Sequence, residues 1–521
     1  MPAPGGLTKE SDVSQEYDVV VVGSGAGALT AAVLAARASL STLVLEKSAL
    51  LGGTSAYSGA ACWLPGSEVQ RRSGVPDSTE SARTYLSSLL GDHDLQRREA
   101  FLATAPRVVA ALEQDPAVRF EWRPFPDYFD RPGRVPRGRS FVPCDLPRAD
   151  IGALADLVRP AVDRDRAGLG HPDGDLTQGR ALIGRLLLAL DRTGHAEVRT
   201  GADVDALQQE DGRVVGVEAV VGGERRRYSA RRGVVLACGG FERSVAGRAR
   251  HGVPGSADWT MAPAGSNTGS AIEAAVRLGA ATDLLDEAWW CPGLAMPDGS
   301  ASFTLGFRGG LVVDSLGRRY ANESLPYDQF GRQMAADPAR IPSYVVFDER
   351  AGGRLPAISL PGGSPDEHLD AGTWVRAGSL PELADRLGVP AGALTASVER
   401  FNSMATAGED TDFGRGRDEY DRYFADPVLV PVTEPPFTAA RLVLADLGTK
   451  GGLVTDCDAR VLAVDGRSLA GLYAVGNTTA SLTGPVYPGP GAPIGTAMAF
   501  ALRAVAHLAA GAVRAAAGDA C

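Results

Sequence analysis

A chain of 521 residues is too long for one compact core and suits two or three units of ordinary domain size. Hydrophobic residues make up 44% and charged residues 22%, which argues against both disorder and a membrane class. The formal charge of -11 and pI near 5.2 argue against nucleic acid or an anionic bilayer as the main partner, since both would repel the chain, and favour a small, mostly uncharged ligand. Cys62, Cys144, Cys238, Cys291, Cys457 and Cys521 are scattered without a C-x-x-C pair, and the histidines are equally dispersed, so neither a metal site nor a disulfide framework is expected.

The N-terminal stretch is polar and lacks the basic and apolar regions of a signal peptide, so residues 1–16 read as a flexible tail on a cytoplasmic protein. YDVVVV, from Tyr17 to Val22, has the length and composition of a strand. Gly23, Gly25 and Gly27 are expected in the turn that follows, and an Ala-rich segment, apolar all round, reads as a helix buried against a sheet. Thr42–Glu46 closes a β-α-β unit. In this G-x-G-x-x-A pattern Gly23 makes the turn, Gly25 lets the backbone approach a pyrophosphate, and Ala28 allows close helix packing. The helix N-terminus favours the phosphates, and Glu46 stands at the spacing of a carboxylate that accepts hydrogen bonds from a ribose.

GGTSAYSGA, Gly52 to Ala60, places small and hydroxyl residues after the second strand, where a flavin's diphosphate and ring would lie. A hairpin is expected around DGRVVGVEAV, and Val234–Leu236 reads as a strand running into a glycine turn, a pattern that GLYAVGN repeats near the end. Between Leu284 and Lys450 the texture turns aromatic and turn-rich, with Trp289, Trp290, Phe303 and Tyr327. The simplest organisation is an α/β, Rossmann-type cofactor domain built from 1–283 and 451–521, with an inserted α+β catalytic domain at 284–450 and the active site in a cleft. The segment Ala497–Ala517 reads as a packed helix rather than a membrane span, with peripheral membrane contact left open.

With ACGGFE (Ala237–Glu242), GSNTGSA (Gly265–Ala271), LYAVGN (Leu472–Asn477) and YPGPGAPIG (Tyr487–Gly495), nearly the whole chain resembles the flavoprotein family of fumarate reductases and 3-ketosteroid dehydrogenases. NESLPYDQFGR, TKGGLVTD and YPGPGAPIG are most similar to the branch that dehydrogenates the 1,2 bond of 3-ketosteroids. The resemblance implies FAD, held by Gly23, Gly25, Ala26, Gly27, Ala28, Glu46, Lys47, Gly52, Gly53, Thr54, Ser55, Ser58, Gly59, Ala60, Val204, Ala237, Gly239, Gly240, Asn267, Gly269, Gly476, Asn477, Pro493 and Ile494. It also implies that Tyr327 is the base that takes a proton from carbon 2, with Tyr128 donating a hydrogen bond that stabilises the phenolate. Tyr487 and the backbone N–H of Gly491 would bind the 3-keto oxygen, and Phe125 and Phe303 would line the steroid pocket. No histidine lies in GGTSAYSGA, where covalently flavinylated relatives carry one, so the FAD is expected to be non-covalent, with an electron acceptor that stays unidentified.

The chemistry fits these roles. A carbon–carbon bond beside a ketone yields a hydride readily only if the adjacent proton leaves too, and two donors on the ketone oxygen make that proton acidic. Pro488 and Pro490 fix the backbone of the donor platform, Gly489 and Gly491 permit close approach, and Pro493 is placed to begin the terminal helix. Tyr320 and Cys238 read as structural residues, and Ser39 stands where the family ends its first helix with Gly. The alternatives are 4,5-dehydrogenation, fumarate reduction and a flavin-binding protein without catalysis. A dianion clamp is disfavoured because His368 is the only histidine of the insert. No G-x-S-x-G elbow or P-loop is present.

Overall fold

The computed structural model describes residues 16–516, so most of the expected N-terminal tail lies outside the described residues. The described residues divide into two compact units: residues 16–247, 262–287 and 449–516, and residues 248–261 with 288–448. The divisions at 287/288 and 448/449 fall within four residues of the boundaries read from the sequence. One segment differs, because residues 248–261 join the second unit. Arg248 pairs with the buried Asp446 at 2.7 Å, the Thr260 hydroxyl donates to the same carboxylate at 2.6 Å, and the Met261 N–H donates to the Asp446 carbonyl at 2.8 Å. A composition change at Leu284 carries no trace of those polar contacts.

In the first unit β1 (Glu16–Val22), α1 (Ala26–Arg37) and β2 (Thr42–Leu45) form the expected parallel unit, with Val19 opposite Thr42 and Val22 opposite Leu45. The valines are buried because the strand lies mid-sheet and is covered on both faces. Ser39 ends α1 in the left-handed region at φ 58°, the conformation that a helix-ending glycine usually supplies. Gly27 does not lie in the turn. It is the second residue of α1, where an added Cβ would sit 3.1 Å from Ala497 Cβ, so its smallness serves helix–helix approach.

Further along run α2 (Thr79–Leu90), α3 (Gln178–Thr193), β3 (Ala196–Arg199), β4 (Ala202–Glu210), β5 (Arg213–Val221) and β6 (Glu224–Leu236). Asp211 and Gly212, both at positive φ, make the two-residue turn between β4 and β5, and Gly222 and Gly223 make the next, so the expected hairpin is a three-stranded meander. The eight-stranded sheet is ordered Arg460–Leu462, Ser468–Ala474, β5, β6, β1, β2, β3, with β4 on β5. Its centre is parallel: Ser468–Ala474 pairs with β6, β6 with β1, β1 with β2 and β2 with β3. Helix α1 packs against α3 and the terminal helix Ala492–Ala516. That last helix is long and apolar enough to cross a membrane by length and composition, and 56% of its Ala492–Ala510 stretch is buried in the protein.

The second unit holds a seven-stranded sheet ordered Leu311–Val313, Ser343–Phe347, Phe437–Thr449, Ala288–Ala295, Ala301–Leu305, Ile358–Leu360, with Trp374–Ala377 on Phe437–Thr449. Every residue of Ala288–Ala295 is buried, which explains the aromatic texture read in the sequence. The helices Leu380–Leu387 and Ala391–Ala407 supply Leu383, Leu394, Val398 and Phe401 to a core with Leu311, Val313 and Val346. His368 is a core histidine: it stacks on Trp374 at 4.8 Å, and its ring nitrogens meet the Thr373 hydroxyl and the Gly362 carbonyl.

Candidate active site

Adjacent parallel strands of the first unit end in the segments marked as glycine turns: Gly23–Gly25 after β1, Ala237–Gly240 after β6, and Gly476–Asn477 after Ala474. Ligands of open α/β sheets bind at these carboxyl ends. Gly23 has φ 105°, and a Cβ there would lie 2.4 Å from the Ala237 carbonyl oxygen, so only glycine fits. Gly25 is the N-cap of α1, with no capping side-chain hydrogen bond and no acid in the first turn, so the N–H groups there suit a phosphate. Ala26 N–H donates to Ser55 Oγ at 3.1 Å, and Ala28 is fully buried.

Glu46 follows β2 and is buried. Its Oε2 accepts from Ser24 Oγ at 2.6 Å and its Oε1 from the Ser48 N–H at 2.8 Å, and this fixes the carboxylate at the strand end. Lys47 is paired with Asp203 at 3.0 Å and donates to Thr268 Oγ1. GGTSAYSGA is not a plain loop, because Gly53–Tyr57 is a short helix after Gly52, whose φ is 108°. Gly53 and Gly59 face open space, and Thr54 Oγ1 is buried without a partner. Ser58 Oγ accepts from the Ala60 N–H at 3.0 Å. Open space beside glycine, an orphaned hydroxyl and a helix N-terminus without an acidic residue in its first turn fit a dinucleotide cofactor.

At the β6 end, a Cβ on Gly239 would lie 2.2 Å from Asn267 Nδ2 and one on Gly240 1.9 Å from Thr449 Oγ1. Asn267, at φ 51°, donates to Glu242 at 2.6 Å. Gly269 caps the helix Ser270–Arg277, the Val204 carbonyl accepts from Ser270 Oγ, and Pro493 and Ile494 lie in the first turn of the terminal helix, which starts one residue before Pro493. Sequence patterns did not single out the roles of Glu242 and Thr449: the buried Glu242 carboxylate accepts from both the Thr449 hydroxyl and its N–H at 3.2 Å, and this braces the turn. Cys238 reaches Thr478 Oγ1 at 3.8 Å, and burial pushes its thiol up to about 11.

The aromatic residues expected at the site fall into two sets, one in each unit. In the first unit the Tyr128 and Tyr487 rings meet edge-to-face at 5.2 Å, with Phe125 edge-on to Tyr128 at 6.2 Å. Tyr487 is 4% exposed, and the Gly491 N–H points at its hydroxyl oxygen across 3.4 Å. Gly491 has φ 84°, and a Cβ would lie 2.0 Å from the Ala61 carbonyl oxygen. In the second unit Tyr327, the first residue of the helix Tyr327–Ala335, meets Phe303 edge-to-face at 4.9 Å. Tyr320 stands apart from that pair: its hydroxyl bonds Ser343 Oγ at 2.8 Å, Arg340 lies over its ring, and burial pushes its phenol well above the ordinary value.

Sequence reasoning missed the support beneath the first aromatic group. Asp127 is fully buried, accepts from Trp63 Nε1 and Arg139 Nε, each at 2.9 Å, and sits where a Cβ on Gly489 would come within 2.9 Å of it. Nothing local in FPDYF distinguishes a buried carboxylate from an exposed one, and its arginine arrives from a later turn. Among the described residues no cluster of His, Cys, Asp and Glu could hold a metal ion.

Residues 18–494 match the FAD binding domain family. The chain is 42% identical over 519 residues to a 3-oxosteroid 1-dehydrogenase of Rhodococcus opacus, covering 96% of this chain and 99% of that protein. It is 38% identical to a 4-oxocyclohexanecarboxylate 2-dehydrogenase of Sinomonas cyclohexanicum, over 95% and 94% of the two chains. Among solved structures it matches the 3-ketosteroid delta1-dehydrogenase of Sterolibacterium denitrificans in complex with 1,4-androstadiene-3,17-dione, with a TM-score of 0.86, 33% identity, and 95% and 100% coverage. The chain therefore belongs to the FAD-binding flavoprotein family of the 3-oxosteroid 1-dehydrogenases.

Proposed function

We propose that this protein dehydrogenates the 1,2 bond of 3-ketosteroids, with non-covalently bound FAD and an electron acceptor still to be identified. The observation that carries the reading is the adjacency of two buried donor groups: the Gly491 N–H here donates to the Tyr487 hydroxyl oxygen at 3.4 Å, and a ketone oxygen that took its place would receive both that N–H and the phenol O–H. Such a pair stabilises the negative charge that develops on a ketone oxygen as its α-proton leaves, and buried donors of this kind are each worth roughly 2.7–4 kcal/mol of barrier.

Tyr487 and Gly491 bind the 3-keto oxygen. Tyr327, as the phenolate, takes the proton from carbon 2 and becomes a phenol, and Tyr128 stabilises that phenolate before the transfer. Phe125 and Phe303 would line the pocket of an apolar tetracycle. The strand-end glycines with Glu46, Ser55 and Ser58 would hold FAD, which when bound would supply the hydride acceptor for carbon 1. A proton and a hydride leave together, and one carbon–carbon double bond forms.

The relative that acts on 4-oxocyclohexanecarboxylate favours a second reading, in which the ketone belongs to a single ring. Both readings use the same donor pair and differ in what fills the pocket. The test is steady-state turnover of androst-4-ene-3,17-dione and of 4-oxocyclohexanecarboxylate with an artificial electron acceptor, and identification of each product. The proposal expects a 1,2-unsaturated steroid and little turnover of the single ring. The reverse preference overturns the steroid assignment, and a 4,5 product from a 5α-saturated steroid moves the regiochemistry.

A further inference from the structure

The loop that carries Tyr128, residues 123–139, has no regular secondary structure, yet it must hold one phenol against another. Part of its order comes from α2. Gly133, at φ 82°, lies so close to this helix that a Cβ would meet the Ser81 carbonyl oxygen at 2.2 Å and the Tyr85 nitrogen at 2.7 Å. Inside the loop Asp127 bonds the Val135 N–H at 3.1 Å and Arg139 Nε at 2.9 Å, and Arg139 also pairs with Asp77 at 2.8 Å. All three charged side chains are buried to zero exposure.

One side chain joins this loop directly to the Tyr487–Gly491 platform. Tyr85, in the middle of α2, is fully buried. Its hydroxyl donates to the Pro488 carbonyl at 2.7 Å and accepts the Phe129 N–H at 3.0 Å. The Pro488 carbonyl also accepts the Tyr128 N–H at 3.1 Å. The peptide groups flanking both tyrosines are thus tied through one phenol: Phe129 follows Tyr128, and Pro488 follows Tyr487. Arg139 lies over the Tyr85 ring at 5.5 Å, so the ring stays packed without its hydroxyl.

We propose that Tyr85 is a positioning residue: its hydroxyl clamps the loop of Tyr128 to the platform of Tyr487 and sets the alignment of the two phenols. What those phenols do rests on the function proposed above. Tyr85 reaches no reacting atom, so it acts only through the residues it ties. Loss of the hydroxyl leaves the Phe129 N–H without its acceptor, and the loop relaxes locally.

The test is a double-mutant cycle of Tyr85→Phe and Tyr128→Phe, with kcat, KM and flavin content measured, and hydrogen exchange followed in the peptide that spans Phe129. Tyr85→Phe is expected to keep its flavin, to lower kcat about tenfold with KM within about twofold, and to speed exchange at Phe129. On the Tyr128→Phe background the same change is expected to cost less than about twofold, because the residue it acts through is gone. A kcat within about twofold of the parent, a loss that multiplies fully with that of Tyr128→Phe, or unchanged exchange overturns the proposal. Loss of flavin or of cooperative unfolding in Tyr85→Phe also overturns it, by assigning Tyr85 to the fold alone. If the parent protein turns over no ketosteroid, the proposed function falls, and the exchange result decides the clamp: faster exchange at Phe129 keeps it and unchanged exchange removes it.

Discussion

The Gly491 N–H donates to the Tyr487 hydroxyl oxygen across 3.4 Å, spanning the Pro488-Gly489-Pro490 turn that separates them in the chain. The geometry is intolerant of a side chain, since a Cβ on Gly491 would lie 2.0 Å from the Ala61 carbonyl oxygen. Tyr487→Phe removes the phenol donor and, with it, the oxygen that accepts the Gly491 N–H. It is expected to lower kcat by about 10²–10³ with flavin content unchanged, as loss of a donor to a developing oxyanion does. Steady-state kinetics against flavin absorbance check this, and near-parental turnover removes Tyr487 from the site.

Tyr327 heads its helix and lies edge-to-face on Phe303. If its phenolate takes the proton, kcat/KM should rise about tenfold per pH unit below the pKa of that phenol and level off above it. Tyr327→Phe should abolish this rise along with nearly all turnover, while binding of the steroid product, followed by the flavin spectrum, persists. A flat profile with the chemical step rate-limiting contradicts the assignment.

The second unit should be acid-labile. Burial alone would raise the Glu323 carboxyl, but Arg319, bonded to both its oxygens at 2.8 Å, and Arg415 at 3.2 Å hold it below its ordinary value of 4.5. Asp410, bonded by Arg319 at 2.7 Å, is lowered in the same way against its own burial. A folded-state pKa below the unfolded one gives stability that is present above the ordinary value and lost as pH falls through the lowered one. Glu323→Gln leaves buried guanidinium charge uncompensated and is expected to cost about 3–5 kcal/mol at neutral pH, with the difference from the parent shrinking at acid pH. Denaturant melts at pH 7 and pH 4 measure it, and a constant difference contradicts the linkage.

Cys238 sits in the Gly-rich turn after β6 and looks exposed to redox reading, but its thiol is held up at about 11 by burial. Alkylation by iodoacetamide at pH 8 should be slow, and Cys238→Ala should keep flavin and turnover within about twofold. Rapid modification with loss of activity contradicts a structural role.

The parts of this fold that repeat short-range rules were legible. Strand, glycine turn and Ala-rich helix follow from hydrophobic run length and from φ values that only glycine reaches, as Gly23 illustrates. Gly27 was misplaced because a glycine required for helix approach looks identical in sequence to one required for a turn, and its partner Ala497 lies 470 residues away. Residues 248–261 were assigned to the wrong unit for the same reason, since the anchor Asp446 lies almost 200 residues on. The phenols were singled out through motif resemblance. Asp127, Arg139 and Tyr85 belong to no motif, and only the folded chain reveals that Asp127 and Arg139 pair away from water and that Tyr85 bonds the Pro488 carbonyl.

The central claim is that a ketone held by Tyr487 and Gly491 loses hydrogen to bound flavin. It is tested most directly by mixing the purified yellow protein anaerobically with androst-4-ene-3,17-dione while following flavin absorbance and identifying the steroid. The account predicts bleaching at the rate of turnover and a product carrying a new 1,2 double bond. Retention of the yellow colour with unchanged steroid, in protein shown to hold FAD, would contradict it.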